Sequence, residues 1–322
     1  MSTKEKILWV LEKNRGKTIS GQELAEKLNI SRAAVWKTIK KLKREGHRIT
    51  ATTNSGYCLD YSSDVLSEPG IRLFLAPENK ELPIYIYDKV DSTNLLAKKL
   101  AAAGTESGSI IVAREQSKGR GRRGRSFYSP PDTGLYMSMI LNVNEEIASA
   151  QFATVYVAVA VCRVINRLSG KEAKIKWVND ILLEGKKICG ILTESISDFE
   201  SGIVGTIILG IGINLRTKSF PKEIETAGSL EIDSIPRNRF VAEIANEILL
   251  LKEDSRKTVI EEYKRRSIMI GREIEYVHEG VEYSGKVLDI NDHGHLIVES
   301  NGQQKTLIYG EVRLKKTGLY DL

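Results

Sequence analysis

The chain is 322 residues long, 41% apolar and 28% charged, with a formal net charge of +6 at pH 7. Length and composition leave room for two or three hydrophobic cores and exclude a disordered, collagenous or low-complexity chain. The cysteines, Cys58, Cys162 and Cys189, lie far apart with no C-x-x-C pair, which argues against a zinc site and for a reducing, cytoplasmic setting. No N-terminal stretch resembles a signal peptide. The most apolar run, Phe152–Cys162, is too short to span a bilayer and reads as a buried helix.

The charge is unevenly spread: residues 1–60 carry 13 Lys+Arg against 6 Asp+Glu, and the rest carry 35 against 36. A basic surplus confined to one end is the footprint of a nucleic-acid-binding module attached to a near-neutral body. The pattern there predicts three helices and a hairpin. Lys4–Lys13 presents Ile7, Leu8 and Leu11 on one face, and Ser20-Gly-Gln-Glu23 reads as a capping box opening a short helix with Leu24, Ala25 and Leu28 inside. Ser31 then caps a longer helix with Val35, Ile39 and Leu42 inward. Its outer face offers Ala33, Lys37, Lys40 and Arg44, with Trp36 on the flank. Small residues at the start and cations along the outside suit a helix in a major groove, so Ser31, Arg32, Ala33, Trp36, Lys37 and Lys40 are the candidate DNA contacts. His47–Thr53, Asn54-Ser55-Gly56 and Tyr57–Tyr61 read as a hairpin, the wing of a winged helix-turn-helix over residues 1–62. The plainer alternative is a helical interaction module with a solvated basic face.

Residues 63–82, with Pro69-Gly70 and Pro77, read as a linker. Beyond it, strands are expected at Ile84–Asp88, Ser109–Glu115, Leu135–Leu141, Ile175–Val178, Lys187–Glu194 and Ile203–Ile213. Helices are expected at Thr93–Ala103, Ala150–Leu168, Arg237–Leu251 and Thr258–Arg266. Grouped strands with few helices predict an α+β domain over residues 83–268, a mixed sheet covered on one face rather than a doubly wound one. From Gly271 short alternating strands turn at Glu279-Gly280, Asn291-Asp292 and Asn301-Gly302, predicting a small SH3-like β-barrel in residues 269–322. His293 and His295 flank a glycine there, and turn chemistry accounts for them better than metal ligation.

One stretch is dense in chemistry. Lys118-Gly119-Arg120-Gly121-Arg122-Arg123-Gly124-Arg125 follows the apolar run Ile110–Ala113. Its glycines allow close backbone approach to a ligand, and its guanidinium groups match phosphate and carboxylate oxygens. Such a loop can close over an anion and shield a reactive acyl phosphate from water. The string Gly119-Arg-Gly121-Arg-Arg-Gly124 also fits the dinucleotide fingerprint, but Pro130-Pro131 follows where a helix would have to start. No Gly-Lys-Ser/Thr closes it as a Walker loop, and composition alone leaves a solvated basic loop or nucleic-acid patch open. Three further clusters stand nearby in the pattern: Asp91-Ser92-Thr93-Asn94 between strand and helix, Lys176-Trp177-Val178-Asn179-Asp180 at a strand end, and Lys186–Glu194, with Gly210-Ile-Gly212-Ile-Asn214-Leu after them. Taken alone, Asp91–Asn94 could be a plain helix cap.

Together these motifs resemble the biotin protein ligase family, in its bifunctional members that also repress biotin operons. The likeness covers essentially the whole chain, and the arginine loop Gly119–Arg125 is its most specific part. The family usually has proline where this chain has Val178. The resemblance implies that Ser92, Thr93, Asn94 and Gln116 bind the biotin ureido ring, and that Arg120, Gly121 and Arg122 close over biotin and phosphate. Lys187 would reach the biotin carboxylate and the reacting phosphoryl group, making Arg122 and Lys187 the catalytic pair. Arg122, Arg125, Asn179, Asp180 and Asn214 would face ATP, with Mg²⁺ near Asp180. It further implies biotinyl-5′-AMP as intermediate and corepressor, a biotin carboxyl carrier protein as acceptor, operator DNA as partner, a homodimer in the liganded state, and no membrane association. A lipoate ligase or a sensor that has lost catalysis are the competing classes. The paired charges of Arg122 and Lys187 weigh against the sensor, and the winged helix with its dense arginine loop weighs against the lipoate enzyme.

Overall fold

The computed structural model describes residues 1–52, 55–146, 152–197, 203–251, 255–278 and 281–315. Two units emerge, one formed by Met1–Ile86 with Ile232–Asn246 and the other by Tyr87–Glu231 with Glu247–Leu322.

In the first unit, helices α1 (Thr3–Lys13), α2 (Gly21–Leu28) and α3 (Arg32–Arg44) precede a hairpin of β1 (Ile49–Thr52) and β2 (Gly56–Leu59). Ile7, Leu8, Leu11, Leu24, Val35, Ile39 and Leu42 close on Ile49 and Leu59 in one core. Each helix is opened by a serine whose hydroxyl accepts a backbone N–H: Ser2 from Glu5, Ser20 from Glu23, Ser31 from Ala34. The reciprocal capping box predicted at Ser20 is only half made, because Glu23 turns away to Lys27 at 2.6 Å. The complete box is at Ser2 and Glu5. Thr53, Asn54, Ala150, Gln151, Glu279 and Gly280, named above in turns and a helix start, lie outside the described residues.

The predicted linker is not a bare connection. Its Ser67 caps α4 (Glu68–Phe74), which packs on α1. Asp64 binds Arg237, Ser67 N–H donates to Asn238 Oδ1, and Ala76 N–H donates to Asn246 Oδ1. The prolines that suggested a loop instead start helical turns, Pro69 inside α4 and Pro77 in a 3₁₀ turn.

The second unit is built on a seven-stranded sheet of order β3-β4-β5-β9-β8-β7-β6. The strands are β3 (Ile84–Val90), β4 (Ile110–Gln116), β5 (Gly134–Glu146), β6 (Lys174–Lys176), β7 (Asp180–Leu183), β8 (Lys186–Ser197) and β9 (Ile203–Asn214). From β4 to β6 every ladder is antiparallel. The unit's helices are α5 (Thr93–Ala102), α6 (Ala153–Ser169) and α8 (Arg256–Arg266), while α7 (Arg237–Leu251) belongs to the first unit up to Asn246.

The sheet is not covered on one face only, as the pattern had suggested. On β8, Thr193 hydrogen-bonds Thr154 of α6 at 2.9 Å, while the next residue, Glu194, binds Asn94 and Lys98 of α5. Adjacent strand residues point to opposite faces, so α5 and α6 lie on opposite sides. A central strand buried on both faces reads as a near-continuous apolar run, which hides its two-sidedness in sequence.

The C-terminal segment forms a five-stranded antiparallel sheet of β10 (Glu273–His278), β11 (Val281–Ile290), β12 (Leu296–Ser300), β13 (Gln303–Leu307) and β14 (Glu311–Leu314), in the order β13-β12-β11-β10-β14. Cys162 in α6 and Cys189 in β8 are fully buried, and Cys58 in β2 is partly exposed. Among the described residues no helix is long and apolar enough to cross a membrane.

Candidate active site

A cleft of about 260 Å³ opens in the second unit, lined from several remote stretches of sequence. It gathers Asn94, Gln116, Arg120, Gly121, Arg122, Arg125, Asn179, Asp180 and Lys187 in one place.

Its floor is a hydrogen-bonded layer. Thr93 N–H donates to Gln116 Oε1 at 2.9 Å, and Gln116 Nε2 donates to Ser129 Oγ at 2.9 Å. Ser138 Oγ lies 2.8 Å from Thr93 Oγ1 and 2.6 Å from Asn94 Oδ1, and Asn94 Nδ2 donates to the Leu192 carbonyl and to Glu194. Asn94 fits only because β9 is bare at Gly210: a Cβ there would sit 2.1 Å from Asn94 Oδ1. The glycine in Gly210-Ile-Gly212 thus makes space for an amide at the cleft floor.

The arginine loop folds back on itself as a small irregular hairpin. Gly121 N–H donates to the Arg125 carbonyl at 2.7 Å, Phe127 N–H to the Gly119 carbonyl at 2.9 Å, and Lys118 N–H to the Asp91 carbonyl at 2.9 Å. Arg123 takes a left-handed conformation at its tip, φ 54°. Arg122 points inward, with Nη1 3.4 Å from Asn179 Oδ1, and burial together with the neighbouring Arg123 charge lowers its pKa. Arg125 pairs with Glu311.

The Lys176–Asp180 run is held from three directions. Tyr263 of α8 donates its phenol to the Val178 carbonyl at 3.0 Å, and Trp177 Nε1 donates to the Gly294 carbonyl at 2.8 Å. Asn179 Nδ2 donates to the Ile191 carbonyl while Ile191 N–H donates back to the Asn179 carbonyl. The Trp177–Val178 peptide bond is cis. Asp180 receives Lys187 Nζ at 2.6 Å, which brings the run and β8 together across the β7–β8 ladder.

Three expected ligands stand outside the cleft lining. Ser92 and Thr93 are buried, at 3% and 4% exposure, and Thr93 bears on the cleft indirectly, through Gln116 and through Ser138 to Asn94. Asn214 Nδ2 donates to the Gly228 carbonyl and Asn214 O accepts from Leu230, so this residue fixes the segment at 228–230. Sequence reasoning also left out several lining residues: Phe127, Lys176, Trp177, Glu311, Val312 and Arg313. Lys176 and Trp177 lay inside a motif already singled out. Glu311–Arg313 carry no local signal, since they arrive from the far end of the chain on β14.

The electrostatic balance is strongly positive. Arg120, Arg122, Arg123, Arg125, Lys176, Lys187 and Arg313 face the cleft against two carboxylates, Asp180 and Glu311. Burial lowers the pKa of Lys176; Asp180 opposes that shift, and the Lys187, Arg125 and Arg313 charges add to it. Such a cluster is suited to a multiply charged anion, whose phosphates would offset mutual repulsion among the cations. Among the described residues no group of three or more His, Cys, Asp or Glu could hold a metal ion by protein ligands alone.

In the first unit, Ser31, Arg32, Ala33, Trp36, Lys37 and Lys40 are all exposed along the outer side of α3. Trp36 is 58% exposed, with Lys40 Nζ 5.1 Å from its ring centroid. Arg32, Ala33 and Trp36 line a groove shared with Ser20–Gln22 and the wing strands.

Three family comparisons cover these parts. Residues 3–58 match an HTH domain, 86–214 the Biotin/lipoate A/B protein ligase family, and 269–315 the Biotin protein ligase C terminal domain. The Bifunctional ligase/repressor BirA of Bacillus subtilis is 32% identical over 306 residues, 92% of this chain and 94% of that protein. Its namesake from Escherichia coli K12 is 26% identical over 309 residues, 93% and 94% of the two chains. Among solved structures, a biotin protein ligase from Aquifex aeolicus in complex with biotin and ATP matches with a TM-score of 0.59 at 26% identity, covering 72% of this chain and 98% of that one.

Proposed function

The chain belongs to the biotin protein ligase family, and we propose that it is a bifunctional member: an ATP-dependent biotin–[acetyl-CoA-carboxylase] ligase that also represses biotin genes in response to biotinyl-5′-AMP. The observation that carries the reading is the convergence of the arginine loop, the Lys176–Asp180 run and Lys187 on one cationic cleft above a floor of ordered amides.

In the first half-reaction a biotin carboxylate oxygen attacks the α-phosphorus of ATP, the α–β bridging P–O bond breaks, and pyrophosphate leaves. In the second, the ε-amine of an acceptor lysine attacks the acyl carbon, the C–O bond to phosphate breaks, AMP departs, and the amine proton passes to solvent. Both steps depend on positioning and charge neutralisation more than on covalent help from the protein. Asn94 and Gln116 present amides to the ureido ring, held in place by Thr93 and Ser138. Arg122 and Lys187 neutralise the carboxylate and the α-phosphate as they approach each other, with Arg120 and Gly121 closing the loop over both. Arg125, Asn179 and Asp180 serve the nucleotide. Mg²⁺ arriving with ATP fits the Asp180 carboxylate, a hard oxygen donor that leaves the remaining coordination to phosphates and water, and when bound it would offset phosphate charge. Asn214 acts at one remove, by shaping the 228–230 segment beside the cleft.

The exposed side of α3 engages operator DNA. Two copies of the chain, joined when biotinyl-5′-AMP is bound, would engage two half-sites and gain affinity and specificity together. The acceptor is a lysine of the biotin carboxyl carrier protein of acetyl-CoA carboxylase, and the setting is cytoplasmic. Incubation with labelled biotin, ATP and an acceptor domain tests the enzyme; label transfer to the acceptor lysine is expected, and transfer of lipoate in its place would point to the neighbouring enzyme class. Sedimentation and operator titration without ligand, with biotin, and with biotin plus ATP test the repressor. Equal affinities in all three would leave a ligase with an independent DNA-binding domain.

A further inference from the structure

Strand β14 brings Glu311, Val312 and Arg313 to the cleft, and polar contacts tie the sheet that carries it to the rest of its unit. Two of these are ion pairs with one exposed partner each: Lys264 with Asp289 at 2.7 Å, and Arg125 with Glu311. Partly exposed pairs of this kind contribute little. A third is buried, the hydrogen bond from Trp177 Nε1 to the Gly294 carbonyl, 2.8 Å long, from a residue only 5% exposed. Losing it would strand a buried carbonyl without a donor.

The turn that receives it is itself rigid. Asn291 Oδ1 accepts from both His293 N–H and His295 N–H at 3.0 Å, and Asn291 N–H donates to the His295 carbonyl. Gly294 has φ +80°, and a Cβ at that position would lie 2.7 Å from Val155 Cγ2 of α6. Only glycine lets the turn seat so closely. The turn ends β11, β11 pairs with β10, and β10 pairs with β14 through Val277 and Glu311. A continuous ladder therefore links the Trp177 contact to the residues lining the cleft.

We infer that Trp177 is a positioning residue for the reaction: its indole N–H fixes the 291–295 turn, and through it the placement of Glu311 and Arg313 against the arginine loop. What the cleft holds rests on the ligase reading above; the anchoring itself does not.

Trp177→Phe keeps a ring in the cleft wall and removes the donor, and Gly294→Ala attacks the same contact from the turn. Both variants of the full chain are expected to show faster hydrogen exchange in β11–β14. Both should lose on the order of tenfold in kcat/KM for ATP, as a displaced cleft wall would cause, while biotin binding stays within about twofold. In a Glu311→Gln background the effect of Trp177→Phe should shrink, because both act through one strand. Lost activity with unchanged exchange would make Trp177 a direct contact and overturn the inference. So would faster exchange with undiminished ATP kinetics, equal losses for biotin and ATP, or strictly additive effects with Glu311→Gln. The exchange measurement uses no substrate. Should the parent chain form no adenylate at all, the ligase reading fails and the anchor is judged by exchange alone.

Discussion

The Asp64 carboxylate grips Arg237 twice, accepting from its backbone N–H at 2.6 Å and from its Nε at 2.8 Å, across 173 positions of sequence. Arg237 also donates from Nη2 to the Asp64 carbonyl and is only 2% exposed. A guanidinium so deeply placed depends on its carboxylate. Asp64→Ala should therefore cost about 3–5 kcal/mol of stability in the first unit, read as a lower denaturant midpoint. The same relationship predicts the behaviour of a chain begun at residue 83. It would lose the recognition helix, and would also remove the contacts that Asp64, Ser67 and Ala76 make with Arg237, Asn238 and Asn246. Operator binding should vanish and the remaining protein should be less stable than the intact one, by thermal unfolding.

Lys187→Ala should reduce adenylate formation by about 10²–10³-fold, since the lost cation acts on charge that develops in the transition state. The fold should survive, because Lys187 is part-exposed and its backbone bonds to Thr226 and Gly228 do not need the side chain. Pyrophosphate release checks the rate and circular dichroism the fold; a parent-like rate would remove Lys187 from the catalytic pair.

Arg122→Gly should still make some adenylate and hold it poorly. Its guanidinium is half-buried in the cleft lining, with Nη1 3.4 Å from Asn179 Oδ1, a place from which it can hold an anion. Without it the closed loop loses its grip on the intermediate. Escaped biotinyl-5′-AMP would acylate lysines at random, so mass spectrometry should find biotin beyond the acceptor lysine.

His47 gives the first unit an acid-labile component. Burial depresses its pKa from 6.5 to about 4, so the folded unit favours the neutral imidazole. The unfolded chain binds the proton first, which means this stability is complete above pH 6.5 and is lost as pH falls toward 4. The loss is on the order of 2–3 kcal/mol. In a Trp177→Phe background the remaining tryptophans, Trp9 and Trp36, both belong to the first unit, so fluorescence-detected unfolding at pH 7 and pH 4.5 reads that unit alone. Replacing His47 by Gln should flatten the difference.

Lys37→Ala and Lys40→Ala should weaken DNA binding without regard to sequence and lower the salt dependence by about one counterion each. Trp36→Ala should remove more, since it deletes an exposed aromatic surface together with the partner of Lys40. Titrations at several salt concentrations separate the two kinds of loss.

The local part of this architecture was legible where one short stretch decides it. Arg237–Leu251 is a helix over the predicted span, and the strands at 110–116, 186–197 and 203–214 lie where apolar runs placed them. The arginine loop, the Lys176–Asp180 run and Lys187, linked in sequence only through the family resemblance, line one cleft. What escaped was decided by distant parts of the chain. The stretch at 63–82 looks like a connection until Asn238 and Asn246, about 170 positions on, supply its partners. Strand β7 is four residues long, too short for alternation to declare itself. Ser92 looks like a helix cap, yet makes no side-chain capping bond, and Glu311 meets Arg125 only through the C-terminal ladder.

The three cysteines differ in a way that matters at the bench. Thiol reagents attack the thiolate, and burial pushes the Cys162 thiol up to about 12 and raises that of Cys189 well above its ordinary value. Both are sealed inside the second unit, whereas Cys58 stands partly exposed on the wing strand, opposite Thr50 and next to Tyr57 of the groove that the wing shares with α3. A maleimide dye at neutral pH should therefore enter the unaltered protein once, at Cys58, and its emission should report the arrival of operator DNA without any engineered label site.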